Sequence, residues 1–358
     1  MKNIIKTLVV MLTSISFLTS AKAGELTVTG TAKATMNMLS GFNGLSQGGA
    51  GKGLGIANEF DLGANGELDN GVTWKYQIQM DPGNSGATNK SDVQNDDSRL
   101  EIGTTLGTIG LYKSEGGVDL EDGASQSVYG RPTDIGGNDG VVDNYDVDSY
   151  SNVQYHTPSG LLPYGIAVKL AYVPDTTNVY GSSNTAGTAY TAVADGVGRS
   201  AQAVQIKAAP IEGLAIGASY MDFSDDTNVG AQAEEPMSAS AMATYAYGAA
   251  KIGYSRAVKV LAKTANTHTA SVQQYNQDNM SISYLVNDSL SVSFEQEQSE
   301  AENNNRDLVH VEQKSTAIQA AYTMGGMTLA LSHSNLDNVG YASGKDSKQT
   351  LFAVTMAF

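Results

Sequence analysis

The sequence predicts an all-β fold, a transmembrane antiparallel β-barrel of about 16 strands. Three observations predict it: a leader that directs export, segments of about ten residues in which apolar and polar side chains alternate, and connections that are short and long by turns.

The leader comes first. Met1–Lys6 carries two lysines and no acid, Thr7–Leu18 is apolar, and Ser20-Ala21-Lys22-Ala23 ends in the small-x-small pattern of a cleavage site. The apolar stretch, about 12 residues, falls short of the roughly 20 that a membrane-spanning helix needs. Residues 1–23 are therefore expected to be a signal peptide and 24–358 the barrel; an uncleaved helical anchor is the alternative. Cleavage leaves 335 residues with 18 basic and 37 acidic side chains, a net charge of −19. That balance excludes a general phosphate-neutralising surface, and with it nucleic acid as a partner. It also draws cations toward any opening. Cysteine is absent, so no disulfide framework holds the exported chain together. The slightly negative mean hydropathy is that of a soluble secreted protein or of strands with one lipid face and one wet face, so the period decides.

Alternation is the repeated signal. Leu26, Val28, Gly30, Ala32, Ala34, Met36 and Met38 share one parity, and Thr27, Thr29, Thr31, Lys33, Thr35 and Asn37 the other. Val72, Trp74, Tyr76, Ile78 and Met80 oppose Thr73, Lys75, Gln77, Gln79 and Asp81. The same pattern returns around Leu100 and Ile102 against Arg99 and Glu101, Met280–Val286, Leu290–Phe294 and Met327–Leu331. Successive strand side chains point to opposite faces, so each segment has one apolar and one polar side. Segments of about ten residues exceed the typical globular strand of five or six. They suit a tilted membrane crossing of about 9–11.

Short turns are expected at Leu68–Gly71, Leu106–Thr108, Pro158–Gly160, Ala209–Gly213, Tyr247-Gly248, Val286–Ser289 and Met324–Gly326, where Gly and Asn supply the positive φ of tight hairpins. Long polar connections lie near 40–53, 82–97, 116–150, 174–198, 224–236, 259–275, 300–311 and 336–347. Seven short and eight long connections give 16 strands. Strict alternation of the two places the ends of the sheet in different surroundings, short turns in the periplasm and long loops outside, with both termini on the short-turn side. In hydrocarbon every backbone polar group must be paired internally, so the sheet must close. At about 16 strands it encloses an aqueous channel rather than a packed core.

The last strand, Thr350–Phe358, places Phe352, Val354, Met356 and Phe358 on one face. A terminal Phe closing an alternating strand resembles the C-terminal signature of Gram-negative outer-membrane proteins. Ser151–Gly160, Glu25–Gly30 and Leu106–Tyr112 resemble segments of the general, trimeric porins, including their alphaproteobacterial branch. The resemblance implies an integral outer-membrane homotrimer, delivered to the assembly machinery through Phe358 and embedded in outer-membrane lipid. It implies a passive channel for small hydrophilic solutes, and a long third loop folded inward as the constriction. Residues 116–150 are the longest connection and stand in the third long position. Loops of that length are usually functional or disordered.

That loop holds Asp119, Glu121, Asp122, Asp134, Asp139, Asp143, Asp146 and Asp148 against Arg131. Lys33, Lys75 and Arg99 lie on the polar parity of early strands. Acids on the loop facing bases on the wall would set a transverse field across the gap, as the resemblance implies; a solvated acidic surface and ordinary lumen bases are the alternative. The expected constriction is thus Lys33, Lys75, Arg99, Asp119, Glu121, Asp122, Arg131 and Asp134, with mild cation preference. Asp143, Asp146 and Asp148 are weak candidates for Ca²⁺, which favours several oxygen ligands, though their spacing is not that of an EF-hand. No other cofactor is expected.

Enzyme readings find little support. His156, His268, His310 and His333 are scattered, without HExxH spacing. Gly49–Gly53 lacks the order and context of a phosphate loop and reads as an external loop. A substrate-selective channel and a non-transporting surface barrel or adhesin remain the functional alternatives.

Overall fold

The computed structural model describes residues 26–41, 51–82, 93–133, 143–176, 200–224, 236–261, 272–303 and 310–358. The leader, Asp134 and Asp139 lie outside the described residues. Sixteen strands are present: β1 Leu26–Gly41, β2 Gly51–Glu67, β3 Thr73–Pro82, β4 Val93–Thr104, β5 Gly107–Lys113, β6 Asn152–His156, β7 Ala167–Val173, β8 Ala201–Ile211, β9 Leu214–Phe223, β10 Met237–Tyr247, β11 Ala250–Val260, β12 Val272–Leu285, β13 Leu290–Asn303, β14 Val311–Met324, β15 Met327–Asp337 and β16 Ser347–Ala357. Each pairs antiparallel with its sequence neighbours, and β1 pairs with β16, so the sheet is a closed barrel with no edge.

Closure is fixed at the C-terminus. The Phe358 N–H donates to the Gly30 carbonyl at 3.0 Å, and the Gly30 N–H returns the bond at 2.9 Å. The Phe358 ring meets Phe60 edge-on at 5.7 Å, and it occupies the space that a Cβ at residue 30 would need. Gly30 is therefore required by close approach.

The predicted parity is the one observed. Ile252, Ile282, Phe294 and Ile318 are exposed on the outer face and register side by side across β11–β14. Ser219, Ser240, Ser255, Asn279, Ser281, Ser293 and Gln319 are buried on the inner face. Toward the short turns the outer surface is apolar and most of the inner wall polar, the inverse of a water-soluble protein and the arrangement lipid demands. Tyr76, Tyr284 and Phe358 face outward near the short-turn end, where an interfacial aromatic girdle sits.

Several boundaries differ from the sequence reading. Pro158–Gly160 is not a tight turn: residues 157–166 form a longer connection with a 3₁₀ turn at Pro163–Gly165. Pro158 and Pro163 cannot donate to a ladder there, and Tyr164 and Gly165 take left-handed backbone. Ala209–Ile211 belongs to β8, and the turn is only Glu212-Gly213. The β8–β9 register shifts between Ala208 and Ile211, at Pro210, which lacks an N–H for the ladder. Gly51–Gly53 opens β2 rather than lying in a loop, and β4 begins at Val93. Val72 sits in the turn before β3, where its N–H reaches the Asn70 side chain at 3.2 Å.

Candidate functional site

After β5 the chain enters the barrel, and residues 117–133 run along its inner wall, meeting the strands almost in sequence order. Gln205 of β8 donates to the Val118 carbonyl at 2.7 Å. Ser219 of β9 and Ser240 of β10 both donate to Asp119 at 2.9 Å, and Ser240 accepts the Leu120 N–H at 3.0 Å. Ser255 of β11 donates to the Glu121 carbonyl at 2.5 Å, and Ser281 of β12 to that of Ala124 at 2.8 Å. On β13, Ser293 accepts the Val128 N–H at 3.0 Å and Glu295 the Ser125 hydroxyl at 2.7 Å. On β14, Gln319 accepts the Tyr129 N–H at 3.0 Å and donates to the Gly130 carbonyl at 2.6 Å. A buried loop leaves its backbone groups costly unless paired; here small polar side chains of the wall pair them. The wall also makes room, since a Cβ at Gly253 would overlap the Ala124 carbonyl oxygen.

An apolar cluster fastens the loop root. Val118 and Val147 pack with Ala171 and Val173 of β7, Ala201 and Ala203 of β8, and Met221 and Phe223 of β9. Asp146 accepts the N–H groups of Val118 at 2.8 Å, Asp119 at 3.0 Å and Val147 at 2.6 Å. Burial and then the nearby Asp148 raise its carboxyl to about 7. At the far end Tyr129 packs on Ala330, Leu351 and Ala353, with the Lys33 ammonium 5.6 Å from its ring centroid.

Arg131 is the hub of the acidic segment. It is largely buried and bonds Asp122, lies 3.3 Å from Asp143 and 3.7 Å from Glu121, and reaches Glu297 of β13 at 3.6 Å. Glu297 also takes the Thr133 N–H and hydroxyl, at 3.1 and 2.5 Å. The Glu121 carboxyl is pushed up to about 9, first by burial and then by Asp119, Asp122 and Asp143. A carboxyl raised in the folded state adds stability below its ordinary value near 4.5, and that stability is lost as pH climbs toward 9. Amide hydrogen exchange over residues 118–133 is accordingly expected to be slowest at or below about pH 4.5 and to speed up, after correction for intrinsic rates, between there and pH 9, as Asp146 and then Glu121 lose their protons; a corrected rate independent of pH would mean that neither carboxyl is raised.

The expected constriction residues separate into groups. Asp122 and Asp143 keep side-chain exposures of 54% and 71% and face the lumen. Lys33 and Lys75 are exposed on the inner faces of β1 and β3. Asp119, Glu121 and Arg131 turn toward the β9–β13 wall. Arg99 is held by Glu115 at 2.8 Å and by Gln77, which in turn donates to Asp61 at 2.8 Å. Of the Ca²⁺ candidates, Asp146 faces backbone amides and Asp143 faces Arg131; among the described residues no three acidic or histidine side chains converge as a metal site. The sequence reading passed over Glu59, Asp61, Glu297, Lys169, Lys207 and Lys251. All six lie on the inner parity; for Glu59, Asp61, Lys251 and Glu297 the alternation of their strands marks that face, whereas Lys169 and Lys207 share it with the apolar Ala171, Val173, Ala201 and Ala203.

Solved structures share this architecture. OmpT of Vibrio cholerae, in its trimer form, superposes with a TM-score of 0.63 at 12% identity, over 94% of this chain and 100% of that chain. An anion-selective porin from Comamonas acidovorans gives 0.66 at 15%, over 94% and 100%. Salmonella typhi OmpF in complex with daunomycin gives 0.66 at 14%, over 94% and 98%. At such identities these likenesses speak to the fold alone. No curated protein sequence matches the chain. The family model for Gram-negative porins, however, matches residues 7–358. A closed, lipid-facing barrel of 16 strands with a wall-bound inner loop and a match along nearly its whole length places the chain in the Gram-negative porin family, as an integral outer-membrane channel protein.

Proposed function

We propose that this porin passes small hydrophilic solutes and ions by passive diffusion, with a mild preference for cations, and that it works as a homotrimer. The observation that carries the cation preference is the excess of acid around one arginine: Arg131 is shared among Glu121, Asp122, Asp143 and Glu297, and Asp122 and Asp143 keep exposed side chains beside it. The opposing wall adds little positive charge: Lys33 and Lys75 stand among Glu59, Asp61 and Glu101, and Arg99 is paired with Glu115. Fixed charge in a narrow, low-dielectric passage raises the local concentration of counter-ions. The trimer reading is supported by the trimer form of the Vibrio cholerae relative. It is supported also by the outer face of β1 and β2, where Leu26, Leu54 and Ile56 are 69%, 86% and 64% exposed beside the small residues Ala32 and Ala34. A family of diffusion channels and a lumen held by structural hydrogen bonds favour a transport role over an enzymatic one.

Planar-bilayer recording under a KCl gradient tests this reading. Conductance steps grouped in threes and a reversal potential on the cation side are expected. In the double variant Asp122→Asn/Asp143→Asn the reversal potential should move toward zero or past it. An unchanged reversal potential would assign selectivity elsewhere, and a membrane-inserted protein that never conducts would overturn the channel reading.

A further inference from the structure

The charge of the inner wall changes sign below the loop. On the short-turn side, Lys169 of β7, Lys207 of β8 and Lys251 of β11 point inward, on the same parity as residues that touch the loop. His156 of β6 stands directly opposite Lys169 in register. Lys169 pairs with Gln205 and Lys207 with Ala167, which makes the two lysines diagonal neighbours on one face, within reach of a shared small ligand. The Lys169 ammonium donates to the Gly117 carbonyl at 3.2 Å, which holds it under the loop root. The Lys207 stem runs past Gly217, and its head is exposed. The His156 ring stacks on Tyr112 at 6.1 Å and is hydrogen-bonded to Gln154 at 2.7 Å, so its orientation is fixed. Among the described residues no carboxylate forms an ion pair with Lys169, Lys207 or Lys251. The carboxylates that act on Lys169 are Asp146, which is taken up by the N–H groups of Val118, Asp119 and Val147, and Glu101, which accepts the Tyr112 hydroxyl at 2.9 Å; Glu67 and Glu212 lie at the short turns.

The passage therefore has two zones in series, an acidic loop above and a basic vestibule below. A multivalent anion is attracted to the lower zone and repelled by Asp122 and Asp143 in the upper one. We infer that Lys169 and Lys207 form an anion-binding site in the periplasmic vestibule, which takes small phosphate-bearing anions from the periplasmic side and holds them short of the constriction. The inference rests on the porin reading, and on short turns facing the periplasm.

Inorganic tripolyphosphate is the probe. Channels are inserted from one side of a planar bilayer in about 0.1 M KCl, where screening is modest, and their orientation is fixed by protease digestion of the long loops. Addition to the short-turn side should cause concentration-dependent block; addition to the long-loop side should cause far less. Lys207→Gln, and separately Lys169→Gln/Lys207→Gln, should weaken the apparent affinity by about tenfold or more, the scale of losing a charge-assisted contact. Lys207→Gln should conduct KCl as the parent does in the absence of the probe. Lys207→Gln guards against a disturbed loop root, because its head makes no contact with the loop backbone. Normal conductance with no block, with equal block from both sides, or with block undiminished in both variants would overturn the vestibule site while leaving the channel intact. No conductance at all would instead overturn the porin reading on which it stands.

Discussion

Ile282→Lys is expected to abolish assembly, while Ser283→Lys, one residue away, is expected to leave it intact. Ile282 is exposed on the outer face, flanked in register by Ile252 and Phe294, and lies between Met280 and Tyr284 in the apolar stretch of β12. A lysine there faces hydrocarbon with no partner, at a cost of up to about 2–4 kcal/mol depending on depth. Ser283 points inward beneath the loop, where an ammonium group is hydrated. Refolding into lipid vesicles followed by unheated gel electrophoresis separates the outcomes, because a closed barrel migrates differently from the unfolded chain. Comparable folded fractions for the two variants would sink the assignment of faces. Val72, which shares the apolar parity, would be a poor choice for this test: the turn puts it at the membrane edge, where a lysine costs little.

Arg131→Ala is expected to open the channel without unfolding it. Arg131 is the cation among Glu121, Asp122, Asp143 and Glu297, and Glu297 is 2% exposed. Removing it leaves acids crowded in a low-dielectric seat, a change that costs about 3–5 kcal/mol when a buried pair loses one partner. The strand ladder does not depend on this contact, so the penalty falls on the loop, which is expected to leave the β11–β13 wall. Single-channel conductance should change by more than the removal of one charge from the lumen accounts for, with added open-channel noise, while the folded fraction stays near that of the parent. Arg131→Lys keeps the charge but not the forked geometry and should fall between the two. Parental conductance and noise in the alanine variant would mean that the serine contacts alone hold the loop.

The barrel was legible because its cause is repetitive. Lipid on one side and water on the other impose a period of two on the membrane-crossing part of a strand, and Met280–Leu285, Leu290–Phe294 and Met327–Leu331 follow it up to the short turns, so the strand ends at Leu285, Leu290 and Met327 fall where the pattern stops. Strands β6 and β7, of five and seven residues, carry too few alternations to fix their ends, and two prolines between them mimic a tight turn. The loop was legible as long, acidic and third in order. Its path along the wall was not read, although the sequence held a clue: Ala171, Val173, Ala201, Ala203, Met221 and Phe223 are apolar on the inner parity. Apolar side chains facing a water-filled lumen are costly unless something covers them, and Val118 and Val147 do. Which acids face the lumen depends on how the loop rolls against the wall, and composition carries no information about that.

The wall-bound loop has a consequence for how the protein comes to be. Its residues precede β6 in the chain, yet their partners are spread over β7 to β16, with Tyr129 and Gln319 separated by 190 positions. Contacts across such separations form late, because the intervening chain must be ordered first. The seat for the far half of the loop does not exist until β14 has joined the sheet, so seating follows cylinder formation instead of guiding it. A wide, unnarrowed tube is accordingly the expected intermediate of assembly, and its lifetime would set how long a freshly inserted copy leaks before it begins to discriminate.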